Sequence, residues 1–232
     1  MENEKSISWL QFSDLHILKS VDWNLMMDSY RSLAERLHPD FIVITGDYRH
    51  KKYEENYDYS ETLEFLKEIT KLFSVKKKDV FLVPGNHDVE DYEFRKDSIR
   101  GIIEGAENPE KYMEYLERTQ SLKMAFESYS NFVKQFYGDE VTDNRINNPD
   151  DVICLPWRDK INIIILNTAL ISDGNKEHGE IIDINALSKI KINKKLPTLV
   201  LGHHDFGSIC ESQKERMVKI FETANVRAYL CG

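Results

Sequence analysis

Four short apolar runs in this chain end the same way, each giving out, at once or after a single glycine, onto Asp, Asn or His. Ile7–Ser13 is followed by Asp14-Leu15-His16, and Phe41–Thr45 by Gly46-Asp47. Val80–Pro84 is followed by Gly85-Asn86-His87-Asp88, and Leu199–Leu201 by Gly202-His203-His204-Asp205. Runs of this kind read as buried strands. One Asp or His after a strand is ordinarily a turn former or a helix cap. Four such cases in one chain point further, because loops leaving the C-terminal ends of parallel strands converge on one edge of a sheet, where their side chains can meet.

The segments between the runs supply the rest of the frame. Trp23–Leu37 places Leu25, Met26, Leu33 and Leu37 at helical spacing, and Tyr59–Phe73 does the same with Leu63, Leu66, Ile69 and Phe73. The order βαβαβ favours parallel strands joined by crossover helices. Residues Asp91 to Gly138 carry no strand signal and read as a polar, aromatic-rich helical insertion, interrupted near Glu107–Pro109. Its aromatic residues, among them Tyr92, Phe94, Tyr112, Tyr115, Phe126, Tyr129, Phe132, Phe136 and Tyr137, are expected to pack the insertion against the sheet, with a substrate-facing cap as the alternative. Strands resume at Val152–Leu155, Ile161–Leu166, Thr198–Leu201 and Val226–Cys231, with a helix over Glu211–Ala224 between the last two. The expected fold is α/β: a two-sheet β-sandwich flanked by helices, with a helical insertion after residue 90, in one domain over 1–232.

Charge and targeting signals narrow the function. A net charge of −9 argues against a chain that grips nucleic acid non-specifically, since that binding depends on a basic surface. It does not speak against metal sites, because bound divalent cations reverse the local field where acids are their ligands. Residues Met1 to Ser8 lack a secretory pattern, and no apolar run approaches the roughly 18 to 20 residues of a membrane span, so a cytoplasmic location with no membrane partner is expected. Cys154, Cys210 and Cys231 are odd in number and widely spaced, which fits buried free thiols.

The polar residues at the strand ends suit one task. Carboxylate, imidazole and amide-oxygen donors together select hard or borderline divalent ions, manganese first, with iron, zinc or magnesium as alternatives. A carboxylate shared by two such ions builds a clamp that acidifies a water and holds the attacking and leaving oxygens of a phosphoryl group. Glycines before Asp47, Asn86 and His203 allow the backbone to turn tightly there.

The series D-x-H, G-D, G-N-H-D and G-H, spanning Asp14 to His203, resembles the calcineurin-like metallophosphoesterase superfamily. The resemblance implies a cofactor of two divalent metal ions, with Asp14 and His16 on the first, Asp47 bridging, and Asn86 and His203 on the second. It implies that His87 touches the phosphate and protonates the leaving group as the catalytic residue, a role suited to imidazole. His204, Asp88 and Arg49 are candidates for orienting these groups or contacting substrate, and Arg49 begins a basic run continuing through His50, Lys51 and Lys52.

Two departures shape the reading. The family closes with a G-H-x-H element after its last strand, whereas here that strand is followed only by Gly232. A C-terminal continuation of the same polypeptide is therefore expected, this chain being the N-terminal module of a longer protein. The G-D-x-x-D-R-G and G-N-H-E signatures of protein phosphatases are replaced by Gly46-Asp47-Tyr48-Arg49-His50-Lys51 and Gly85-Asn86-His87-Asp88. The pattern looks more like the bacterial phosphodiesterase and nuclease branches. The expected activity is hydrolysis of a phosphodiester by ion-bound hydroxide, with a nucleotide or nucleic acid among the candidate substrates. The alternatives are a nuclease module of a larger multidomain protein and a non-catalytic regulatory or assembly domain that keeps the fold.

Overall fold

Phe41–Thr45 (FIVIT) has no polar residue before its last position, and it can be a strand only if both its faces are covered. In the computed structural model, which describes residues 6–17, 24–49, 58–90, 97, 99, 111, 114, 124–147, 152–172 and 179–232, every residue of this strand is buried. It is the middle strand of a parallel three-stranded sheet ordered β1 (Trp9–Phe12), β2 (Phe41–Thr45), β3 (Val80–Val83). The crossovers carry α1 (Asn24–Ala34) and α2 (Ser60–Leu72), as the βαβαβ order requires. The second sheet has the order β4 (Ile153–Trp157), β5 (Ile161–Ile165), β6 (Thr198–Leu201), β7 (Val226–Leu230).

Within the second sheet only β4 and β5 pair antiparallel. Their hairpin turns through Arg158 and Asp159, both at positive φ, and closes with the Lys160 N–H donating to the Trp157 carbonyl at 3.0 Å. Two consecutive left-handed residues match the right-handed twist of the flanking strands.

Alternation along the strands sets the layers. Phe41 and Val43 of β2 and Phe81 and Val83 of β3 meet Ile161, Ile163 and Ile165 of β5 and Leu199 and Leu201 of β6 between the sheets. Ile42, Ile44, Val80 and Leu82 point the other way, into a layer built from α2 and α3 (Glu127–Tyr137). Ile164 of β5 and Val200 of β6 face a third layer containing residues of α4 (Ile184–Lys189) and α5 (Glu211–Thr223). The fold is thus the expected sandwich of two sheets flanked by helices.

Within the expected insertion, Phe126, Tyr129, Phe132, Phe136 and Tyr137 are buried, and the Tyr137 hydroxyl donates to the Val80 carbonyl at 2.8 Å. The expectations for Tyr92, Phe94, Tyr112 and Tyr115 lie outside the described residues. Arg145, in a short helical turn (Asn144–Asn147), ties the segment after α3 to the sheet by donating to the Lys78 and Val80 carbonyls at 3.0 and 3.1 Å.

Two expectations need correction. On α1 the face bearing Leu25, Met26 and Leu33 is exposed, Leu25 at 75%, while Met27 is 2% exposed and Tyr30 and Ala34 pack with it. Positions 27, 30 and 34 also satisfy helical spacing, and docking on the sheet chose between the two stripes. The three cysteines are free, as expected, but only partly buried. Among the described residues, no helix is long and apolar enough to cross a membrane.

Candidate metal centre

Parallel strands β1, β2 and β3 end at one edge, and β6 brings a fourth loop to it from the other sheet. There the backbone leaves the strands in uncommon conformations. Asp14, His16 and Asp47 have φ of 51°, 42° and 56°, and Gly46 lies between them at 91°. Non-glycine residues held in this region cost about 1–3 kcal/mol each and persist only where their surroundings enforce them. Enforcement comes from main-chain bonds between the two loops: Asp14 N–H to the Gly46 carbonyl at 3.2 Å, His16 N–H to Asp47 at 2.9 Å and Ile17 N–H to Tyr48 at 3.0 Å.

The side chains gather around the Asp47 carboxylate, which is 4% exposed. Its Oδ2 lies 3.5 Å from His203 Nε2, 3.7 Å from His16 Nε2 and 3.8 Å from His87 Nε2. Asp14 Oδ1 is 3.9 Å from His16 Nε2, and Asn86 Oδ1 is 2.9 Å from His203 Nε2. Donor atoms of Asp14, Asp47 and His203 fall within 4.8 Å of one another, and so do those of His16, Asp47 and His87. Donors bound about 2.0–2.2 Å from one ion are separated by roughly 3 to 4 Å, so this donor set fits divalent ions with Asp47 common to both groups. His87 stands as close to Asp47 as the expected ligands do, although the resemblance gives it no metal.

Imidazole orientation supports the same use. His203 Nδ1 donates to the Thr45 carbonyl at 2.7 Å, and His16 Nδ1 faces the Arg49 carbonyl at 3.3 Å. Bonds to carbonyls fix the two rings so that Nε2 is the atom turned toward Asp47, where it would face an ion.

Glycine is required at position 85 by close approach. A Cβ on Gly85 would stand 2.2 Å from Asp47 Oδ1 and 2.4 Å from its backbone nitrogen. The G-N-H-D turn therefore lies directly against the central carboxylate, and the His87 N–H donates to Asp47 Oδ1 at 2.9 Å.

The three supporting candidates separate. Asp88 is fully buried, and its carboxylate accepts from the backbone of Asp47 and Gly85 and from the Tyr59 hydroxyl. Burial above all, then the Asp47 charge, pushes its pKa up to about 7. Arg49 is buried behind the centre, with Nε donating to the His87 carbonyl at 3.4 Å and the guanidinium 4.9 Å from the Tyr59 ring. His50, Lys51 and Lys52 lie outside the described residues.

His204 stands beside the centre, its ring centroid 4.8 Å from that of His203. Its Nδ1 is 3.0 Å from Thr168 Oγ1 and its Nε2 is 3.5 Å from Glu180 Oε1. Burial first, then the neighbouring His203, pushes its pKa down to about 4. Thr168, Ser172 and Glu180 escape sequence reading, because they follow β5 without a motif or periodicity to mark them. Ser172 and Glu180 join the expected residues around a cavity of about 430 Å³ lined by Asp14, His16, Asp47, Asn86, His87 and His203 and by Ser172, Glu180, His204 and Ser208.

Comparison with known proteins places the same residues in context. The model of the calcineurin-like phosphoesterase family matches residues 8–232. The Bacillus subtilis (strain 168) protein named "Uncharacterized metallophosphoesterase-like protein YydB" is 29% identical over 241 residues, covering 97% of this chain and 48% of that protein. The chain thus spans about half the length of the curated relative it matches.

Proposed function

Because the chain belongs to the calcineurin-like phosphoesterase family, we propose that it is the catalytic part of a metal-dependent phosphodiesterase that uses two manganese ions. The observation that carries this reading is the gathering of three imidazole Nε2 atoms within 3.5 to 3.8 Å of one buried Asp47 carboxylate oxygen. Asp14, His16 and Asp47 would hold one ion, and Asp47, Asn86 and His203 the other. When bound, two divalent ions acidify a water and neutralise the phosphoryl oxygens.

The chain's own groups complete the chemistry. Asp47 keeps the two halves of the centre in register, its buried side chain fixed by the His87 N–H. His16 and His203 present Nε2 to the centre because the Arg49 and Thr45 carbonyls accept from their Nδ1 atoms. As the water oxygen bonds to phosphorus and the bond to the leaving oxygen breaks, the water releases a proton to solvent while His87 donates one to the departing oxygen. That residue is 26% exposed, so it can reach both substrate and solvent.

The test is Mn²⁺-dependent hydrolysis of bis-p-nitrophenyl phosphate by the full-length protein beside an Asp47→Asn variant. Turnover that vanishes in the variant and with chelator is the expected result. A full-length protein that binds Mn²⁺ but hydrolyses neither this ester nor other phosphodiesters would show that the fold is kept for binding.

A further inference from the structure

The cavity has two walls, and metal chemistry uses only one. The other is built from Ser172 and Glu180, which follow β5, and His204 and Ser208, which follow β6, and it is stitched together at Glu180. The Glu180 N–H donates to the Ser208 carbonyl at 2.8 Å, and its carbonyl accepts from Cys210 N–H at 2.7 Å. Its side chain is held as firmly. Oε2 accepts from Ser172 Oγ at 3.0 Å, Oε1 lies 3.5 Å from His204 Nε2, and the side chain remains 15% exposed on the cavity.

A carboxylate fixed at backbone and side chain, facing the pocket in which the proposed phosphoryl group would sit, repels any second phosphate or carboxylate that enters. It attracts hydrogen-bond donors, and a charged acceptor makes the stronger kind of bond with them. A pocket of this volume also holds more than a phosphoryl group.

We infer that Glu180 is a specificity-determining residue that accepts hydrogen bonds from the alcohol portion of the ester, so that the site selects phosphodiesters whose alcohol carries hydroxyl or ammonium donors. This rests on the hydrolase reading above. Ser172 and Ser208 place two further hydroxyls on the same wall. A purely structural Glu180 would instead orient His204 and serve every substrate alike.

Three matched esters separate these roles: p-nitrophenyl phosphodiesters of glycerol, of ethanolamine and of ethanol, hydrolysed by the full-length protein with Mn²⁺. The unsubstituted protein is expected to prefer at least one donor-bearing ester over the ethyl ester by about tenfold or more in kcat/KM, and Glu180→Ala to erase that ratio. Glu180→Gln, which keeps an acceptor oxygen but no charge, should retain part of a glycerol preference and lose an ethanolamine preference, which tells the two donors apart. Competitive inhibition by glycerol 1-phosphate, ethanolamine phosphate and ethyl phosphate should follow the same order, reading binding without turnover.

A Glu180→Ala protein that loses activity on all three esters in proportion, or keeps the ratio, overturns the inference. Hydrolysis of bis-p-nitrophenyl phosphate with no donor preference overturns it while leaving the hydrolase reading intact. Hydrolysis of no ester overturns both.

Discussion

Asp88 holds the backbone of Asp47: its Oδ2 accepts the Asp47 N–H at 2.9 Å and the Gly85 N–H at 2.8 Å, while Oδ1 accepts the Tyr59 hydroxyl at 3.1 Å. One buried carboxylate thereby joins the turn that presents Asp47 to the turn that presents Asn86, and α2 is tied in through the residue preceding it. The relative placement of candidate ligands from two different loops depends on this side chain.

Asp88→Ala leaves three buried donors without their acceptor. The expected cost is about 2–4 kcal/mol of stability, read by urea unfolding, together with a fall of about 10- to 100-fold in Mn²⁺ affinity. A variant that unfolds and binds Mn²⁺ like the parent would mean that water replaces the carboxylate without loss.

His87 Nε2 lies 3.8 Å from Asp47 Oδ2, against 3.7 Å for His16, so distance alone does not separate acid from ligand. Chemistry does. If His87 protonates the leaving group, His87→Ala lowers kcat by about 10²–10⁴ for alkyl esters and much less for p-nitrophenyl esters, whose leaving group needs no proton. Mn²⁺ affinity by calorimetry should stay near that of the parent, whereas His16→Ala should weaken it strongly. Equal losses of Mn²⁺ affinity in both variants would make His87 a ligand.

Gly85→Ala tests the close approach of the G-N-H-D turn to Asp47. The added methyl cannot share space with Oδ1, so the carboxylate or the turn must move, at an expected cost of about 1–3 kcal/mol. Mn²⁺ binding should fall with little change in far-ultraviolet circular dichroism. Retention of parental Mn²⁺ affinity would place the centre elsewhere.

The two apolar stripes of α1 give opposite expectations. Met27 is 2% exposed and Leu25 is 75% exposed. Met27→Ala should destabilise the protein by about 2–4 kcal/mol, and Leu25→Ala should stay within about 0.5 kcal/mol of the parent, by chemical denaturation. The reverse ranking would show that α1 is rotated onto its other face.

Much of the site was legible in the chain itself. Strands such as Phe41–Thr45 and Val80–Val83 announce themselves by uninterrupted apolar character, a local property, and the residues that follow them declare the donor chemistry. Because successive parallel strands leave their loops at one edge, Asp14, His16, Asp47, Asn86 and His87 could be expected to meet before any contact was seen. His203 follows from the same rule applied to β6.

What only the tertiary structure decided is whatever depends on partners distant in sequence. Leu25 and Met27 belong to equally helical patterns, and packing on the sheet chose between them. The ring orientations of His16 and His203 follow from the Arg49 and Thr45 carbonyls, 33 and 158 residues away along the chain. Glu180 carries no local signature at all, and it becomes a cavity wall because backbone bonds to Ser208 and Cys210 join it to the segment after β6. Hydrophobic periodicity is written in neighbouring residues and so can be read from them. The aim of a side chain is set by long-range hydrogen bonds and packing, which exist only once the sheets have formed.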